Sequence, residues 1–265
     1  MKYLQKGLDD VLEAFRNKKK FLLILIVLQI TIIVWPALLV PSYQLQAIQY
    51  SQDIVASVQT ANYDTAQLQE GQPFIQDYLP LYKSAQGLKQ LLLKASSWAL
   101  FFFLVINGLI WTSTMQIFEK ISWRSALRQF SRYLATTSIL ILIWIIFSTY
   151  YFYRQWSIES ATPETLFNII GIAALVLYYF FLTAAACINS PWKKLPKRIF
   201  TISVKNIHKV AVLLAINGAV LFLPLYLTYK EIEADSGFML FTLLLFILAV
   251  VVTRLYWIAA IRHLE

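Results

Sequence analysis

The sequence is poor in the residues that do covalent chemistry. It has one cysteine, Cys187, and two histidines, His208 and His263, in 265 residues. A lone cysteine excludes an internal disulfide. A zinc site needs about three or four converging ligands, and no His/Cys cluster supplies them. Cys187 has no histidine near it in the chain to activate it, so it reads as a small packing residue. No G-x-S-x-G, P-loop or G-x-G-x-x-G is present. We therefore read the chain as non-enzymatic, with no catalytic residue, no cofactor and no metal.

Charge is scarce as well. Only 14% of residues are charged and 59% are hydrophobic, against about 25% and 45–50% in an ordinary globular domain. The charges fall in blocks, and long apolar runs lie between them. About 20 apolar residues cross a bilayer core of about 30 Å. Such runs occur at 21–40, 97–117, 133–153, 165–188, 211–229 and 237–260. The fold expected is an all-α, polytopic integral membrane protein with six transmembrane helices in one membrane domain, 1–265. The first run is too long for a signal-peptide core and lacks a small-x-small cleavage pattern, so it reads as a retained span.

The basic residues alternate by side. The tail 1–20 and the 189–210 loop hold six each, the 118–132 loop four, and the C-terminal end two, Arg254 and Arg262; the alternate segments hold five. Lys and Arg are retained on the cytoplasmic side, which predicts a multi-pass protein of the cell membrane with both termini in the cytoplasm. Trp123, Trp192 and Trp257 fall at predicted inner edges, where indole rings favour the headgroup region. Arg254 lies within the last run near its inner end and is expected to snorkel to the interface.

Three segments enter spans alike. Val11, Phe15, Arg16, Lys20 and Phe21 precede the first; Trp123, Leu127, Arg128, Arg132 and Tyr133 the third; Phe200, Val204, Lys205, Lys209 and Val210 the fifth. Apolar residues four apart share a helix face, and basic residues four apart form a neighbouring stripe. The reading is three units, each an amphipathic interfacial helix followed by a helical hairpin. Arg16, Lys20, Arg128, Arg132, Trp192, Lys193, Lys194, Lys197, Arg198, Lys205 and Lys209 are the expected contacts with anionic headgroups. The basic 189–210 run is thus a topology signal beside lipid, and nucleic acid is not an expected partner.

Residues 41–96 form the one large segment outside the spans. Leu45, Ile48, Val55 and Val58 follow a helical stripe, and "ANYD" and "QEGQP" are turn candidates. A second helix from Pro73, bent at Pro80, is expected to carry Ile75, Tyr78, Leu79, Tyr82, Ala85, Leu88 and Leu92 inward. The result is an extracytoplasmic helical hairpin between spans one and two. It is either a docking surface for a protein partner or a cover on the span ends.

Within the spans the polar residues of interest are neutral. "VINGLIW" and "AINGAVL" place Asn107 and Asn217 before a glycine; Gly allows close approach and Asn bonds across it. Both are candidate intramembrane polar contacts, for packing or for a substrate pathway. The layout, with "AFRNKKKFLLIL", "ANYDTAQLQEGQPF" and "TRLYWIAA", resembles uncharacterised six-span integral membrane proteins of prokaryotes, archaea included. The resemblance implies a fold and no activity. Two functions stay open. One is a non-enzymatic scaffold, assembly or sensor subunit acting through protein and lipid contacts. The other is a transporter, channel or lipid-handling protein with a neutral polar pathway.

Overall fold

The computed structural model describes residues 2–59, 79–119, 122–156, 163–233 and 237–264. All regular structure among them is helical. The elements are α1 (Lys2–Asn17), α2 (Lys19–Gln59), α3 (Leu79–Phe101), a π-helical turn (Phe102–Ile106), α4 (Asn107–Phe118), α5 (Trp123–Trp156), α6 (Pro163–Ala186), α7 (Leu195–Phe200), a second π turn (Thr201–Lys205), α8 (Ile207–Glu233) and α9 (Met239–Arg262). Six helical stretches are long and apolar enough to cross a membrane: Lys19–Val58, Leu79–Phe118, Trp123–Arg154, Asn168–Ala186, Ile207–Glu233 and Met239–Arg262. The chain forms two compact units, one of residues 1–30 and 104–265 and one of residues 31–103.

In the first unit α9 is the central helix. It is apolar all round, which suits a helix enclosed by others, and it packs against α1, α4, α6 and α8. Leu255, Ile258, Ala259, Ala260 and Ile261 have no exposed surface. Trp257 is buried too, and its indole N–H donates to the Leu182 carbonyl at 3.0 Å. The interfacial position expected for Trp257 is therefore corrected: the ring ties α9 to α6.

The three span entries differ in form. α1 is a separate helix ending at Asn17. It lays Gly7, Val11 and Ala14, one face at i, i+4 and i+7, against α9. At Gly7 the helices are so close that a Cβ would meet Ala260 Cα at 3.0 Å. Leu8, Leu12 and Phe15 remain exposed. The second entry has no break, because Trp123–Trp156 is one helix. The third is α7, the π turn and a break at Asn206, whose N–H reaches the Thr201 carbonyl at 3.2 Å. Tyr179 donates to the Ser203 carbonyl at 2.6 Å and Thr183 Oγ1 lies 2.7 Å from Ser203 Oγ, so α6 holds this turn. Phe200, Val204 and Ile207 stay exposed on one side.

The second unit is a helix pair. α2 has 41 residues and runs through Pro36 and Pro41 without a break in helical assignment; at 1.5 Å per residue it measures about 60 Å, twice a bilayer core. Leu81, Ser84, Leu88, Leu91 and Ala95 form the less exposed face of α3, and Tyr43, Ala47, Tyr50, Ile54 and Ser57 that of α2. The Tyr50 ring occupies the place of a side chain at Gly87, 2.5 Å from an ideal Cβ. This corrects the expected register. Leu79, Tyr82 and Leu92 are each more than half exposed, and Ala85 is exposed as well. The expected turns at "ANYD" and "QEGQP", with Pro73, Ile75 and Tyr78, lie outside the described residues, and the bend at Pro80 falls at their boundary.

Candidate functional site: an intramembrane arginine and a polar end network

Arg254 does not snorkel. Its Nη1 donates to Gln29 Oε1 on α2 at 2.9 Å, and its guanidinium carbon lies 5.4 Å from the centre of the Trp111 ring on α4. Gln29 and Trp111 are buried. Arg254 stands eight residues before the end of α9, Gln29 ten after the start of α2, and Trp111 seven before the end of α4. At 1.5 Å per residue these place the group about 10–15 Å along the helices from the end that carries α1. Helix packing aims the side chain across the bundle, where a neutral acceptor and an indole face receive it.

The cluster extends through Tyr133, which is 1% exposed. Its hydroxyl interacts with the Thr137 and Asn107 side chains, and its ring meets Phe181 edge-on at 6.0 Å. Phe181 in turn meets Trp111 edge-on at 6.2 Å. Gly108 makes room for this: a Cβ there would lie 2.8 Å from both Phe130 and Tyr133 ring carbons. Asn107, buried before Gly108, thus has a polar neighbour. Asn217 is also buried, but among the described residues its Oδ1 has no hydrogen-bond partner, and neither has Thr112 Oγ1. The two Asn-Gly pairs are not equivalent, since a Cβ on Gly218 would meet nothing within 4 Å among the described residues.

A second network joins the chain segments at the end of the first unit that carries α1. Arg132 Nη1 donates to the Ile188 and Asn189 carbonyls at 3.2 and 3.1 Å. Asn189 Nδ2 donates to Glu119 Oε1 at 3.0 Å, and Arg198 Nη1 donates to Asn189 Oδ1 at 3.0 Å and Ser190 Oγ at 2.6 Å. Arg262 reaches Glu119 at 3.6 Å and lies over Phe118. His263 Nε2 lies 3.0 Å from Asp10 Oδ2, a contact that is ionic only with the imidazole protonated. Tyr3 donates to the Lys209 carbonyl at 3.2 Å, and burial pushes its phenol up from its usual value. A cavity of about 480 Å³ opens between Asp10, Glu13, Lys18, Glu119, Arg262 and His263.

The predicted lipid-contact residues thus divide. Arg16, Lys20, Arg128, Trp192, Lys193, Lys194, Lys197 and Lys205 are exposed. Arg132 and Arg198 are committed to carbonyl and side-chain acceptors, and Lys209 is partly covered beside Tyr3. Cys187 has no exposed surface, His208 is exposed and distinct in sequence from the network, and among the described residues no group of three His, Cys, Asp or Glu is placed to hold a metal. Residue classes alone missed Gln29, Trp111, Tyr133 and Asn189; the signal that could have found the first three is the isolation of Arg254 among uncharged spans.

No protein-family model, curated protein or solved structure matches this chain. The fold itself defines the class, an all-α multi-pass membrane protein.

Proposed function

We propose that the chain is a non-enzymatic protein of the cell membrane, with both termini cytoplasmic, that acts as a scaffold, assembly or sensor subunit through protein and lipid contacts. The observation that carries this reading is the α2–α3 pair. α2 is about twice the length a bilayer core requires, and Leu45, Ile48, Val55, Leu79 and Tyr82 are exposed beyond the residues a span needs. Exposed apolar surface outside a membrane marks contact sites. The orientation is supported by the meeting of α1, Glu119, Asn189, Arg198 and the end of α9 in one network, which brings the four most basic segments to one end of the first unit. There Arg16, Lys20, Arg128, Lys193, Lys194, Lys197 and Lys205 would meet anionic headgroups. The test is affinity purification in mild detergent of the native chain and of a variant with Leu45, Ile48, Val55 and Tyr82 changed to Gln. A protein recovered reproducibly with the native chain and lost with the variant, at equal thermal stability, is expected. Recovery of partner-free monomer from both defeats the reading.

A second reading, handling of lipid or apolar solutes, is favoured by a groove of about 530 Å³ between α2 and α3. Ile32, Pro36, Tyr43, Leu91, Trp98 and Phe102 are among its lining residues. Transfer of lipid between vesicles by the purified protein, abolished when Ala95 is changed to Trp to fill the groove, is the corresponding expectation; no transfer by the native protein removes it.

A further inference from the structure

The six predicted spans contain no Asp, Glu, Lys or His and one Arg, Arg254. No carboxylate within the spans can therefore neutralise it, whatever the helix packing. Among the described residues its one hydrogen-bond acceptor is Gln29 Oε1, a neutral atom, and its other close partner is the Trp111 ring. An ionisable side chain held inside a membrane is costly and marks a functional position by default. A guanidinium carries five N–H donors in a planar fork suited to oxyanions, and here one of the five meets an acceptor among the described residues.

The surroundings are asymmetric. Gln29, Trp111 and Tyr133 close one side, each 4% exposed or less. Tyr178 also lies close enough to act on the Arg254 charge, yet it is 53% exposed and stacks on Phe181 at 5.9 Å. Arg254 itself keeps part of its surface open. Among the neighbours that act on Arg254, Tyr178 on α6 is the exposed one, and it lies within a span.

We propose that Arg254 is the recognition cation of an intramembrane site for a phosphate oxyanion, with Gln29 and Trp111 fixing the guanidinium and the anion entering past Tyr178. Two sources carry this chemistry: the headgroup of an anionic phospholipid drawn below its usual plane, and free phosphate. The site goes beyond the proposed contacts of the exposed lysines and is independent of the α2–α3 pair.

The test is photolabelling of the full chain in phosphatidylcholine vesicles containing a small fraction of phosphatidylglycerol with a photoactivatable headgroup. Label is expected on the peptides holding Trp111, Tyr133 or Tyr178, and Arg254→Gln is expected to lower it about tenfold or more, the range of a charge-assisted hydrogen bond. Label on residues 189–210 serves as the internal reference and should not change. Arg254→Lys keeps the charge but loses the fork, and should fall between. Competition by millimolar inorganic phosphate assigns the site to a free oxyanion; label that resists it assigns the site to the headgroup. Equal labelling of native protein and Arg254→Gln overturns the proposal. If Arg254→Gln does not fold, native label confined to 189–210 overturns it, and native label at Trp111, Tyr133 or Tyr178 that falls in Arg254→Lys upholds it.

Discussion

Gly108 and Gly218 stand in identical Ile-Asn-Gly triplets, and the structure assigns them opposite tolerances. A Cβ on Gly108 would lie 2.8 Å from Phe130 Cε2 and 2.8 Å from Tyr133 Cδ1, whereas one on Gly218 meets nothing within 4 Å among the described residues. Carbon atoms pack comfortably at about 3.5–4.0 Å, so alanine at 108 must move two rings by the better part of an ångström. Tyr133 has little room to move: it is fully enclosed and held by Thr137, Asn107 and Phe181. Overpacking of this kind costs about 1–3 kcal/mol. Against it stands the gain from replacing a helical glycine by alanine, about 0.5–1 kcal/mol. The net expectation is a loss of about 0–2.5 kcal/mol for Gly108→Ala and a gain of about 0.5–1 kcal/mol for Gly218→Ala. At about 2–4 °C per kcal/mol for a chain near this size, the two variants should melt roughly 2–12 °C apart. The assay is thermal unfolding followed by tryptophan fluorescence, with both variants and the native chain in one detergent. Gly218→Ala should melt at or above the native protein and Gly108→Ala below it. Coincident melting, or the reverse order, would refute the close approach of α4 and α5 and with it the enclosure of Tyr133.

Asn189→Leu removes the groups that bond Glu119 and Arg198 and should lower stability by about 1–3 kcal/mol, read in the same melting assay. Gly7→Leu forces a side chain into the Ala260 backbone; α1 should leave α9, at a cost of about 1–3 kcal/mol, and hydrogen exchange at the α1-covered end of α9 should accelerate in proportion. Changing Lys193, Lys194 and Lys197 together to Gln should reduce retention of phosphatidylglycerol in native mass spectrometry by about 1 kcal/mol per residue. Arg198 is left in place because its guanidinium bonds Asn189 and Ser190, so its loss would confuse stability with lipid contact.

The spans were legible because length and the absence of charge are one-dimensional properties. Four of the predicted runs fall within helical stretches, while 165–188 overruns Ala186 by two residues and 237–260 begins two residues before Met239. Helix ends were less legible. α2 continues past Pro36 and Pro41, although each proline lacks the N–H of a helical turn and crowds the carbonyl four residues before it. The direction of the Arg254 side chain was not legible at all, because it depends on Gln29, 225 positions away. Its position alone suits snorkelling, and only the packing of α2, α4 and α9 turns it inward. The end network escaped for the same reason: Asn189 and Glu119 are 70 positions apart, and neither belongs to a motif.

The misread face of α3 and the packing of α1 share a physical cause. In α1 the bulky residues Leu8, Leu12 and Phe15 are exposed while Gly7, Val11 and Ala14 are buried. In α3 Leu79, Tyr82 and Leu92 are exposed, and the narrower face with Ser84, Gly87 and Ala95 lies toward α2. A reading by hydrophobic periodicity turns the heavier stripe toward the core, as water requires of a soluble protein. Lipid tails are as apolar as leucine, so helices in a membrane associate through small residues that permit close packing. The contacts Gly7–Ala260 and Gly108–Tyr133 follow that rule, and large aliphatics are left on the outside. For spans this is the ordinary state. If Leu45, Ile48, Val55 and Tyr82 stand outside the bilayer, as the proposed function has it, the same exposure carries a different weight, because water does not solvate it as lipid does. The surface that periodicity would have buried is therefore the surface on which a contact is to be sought.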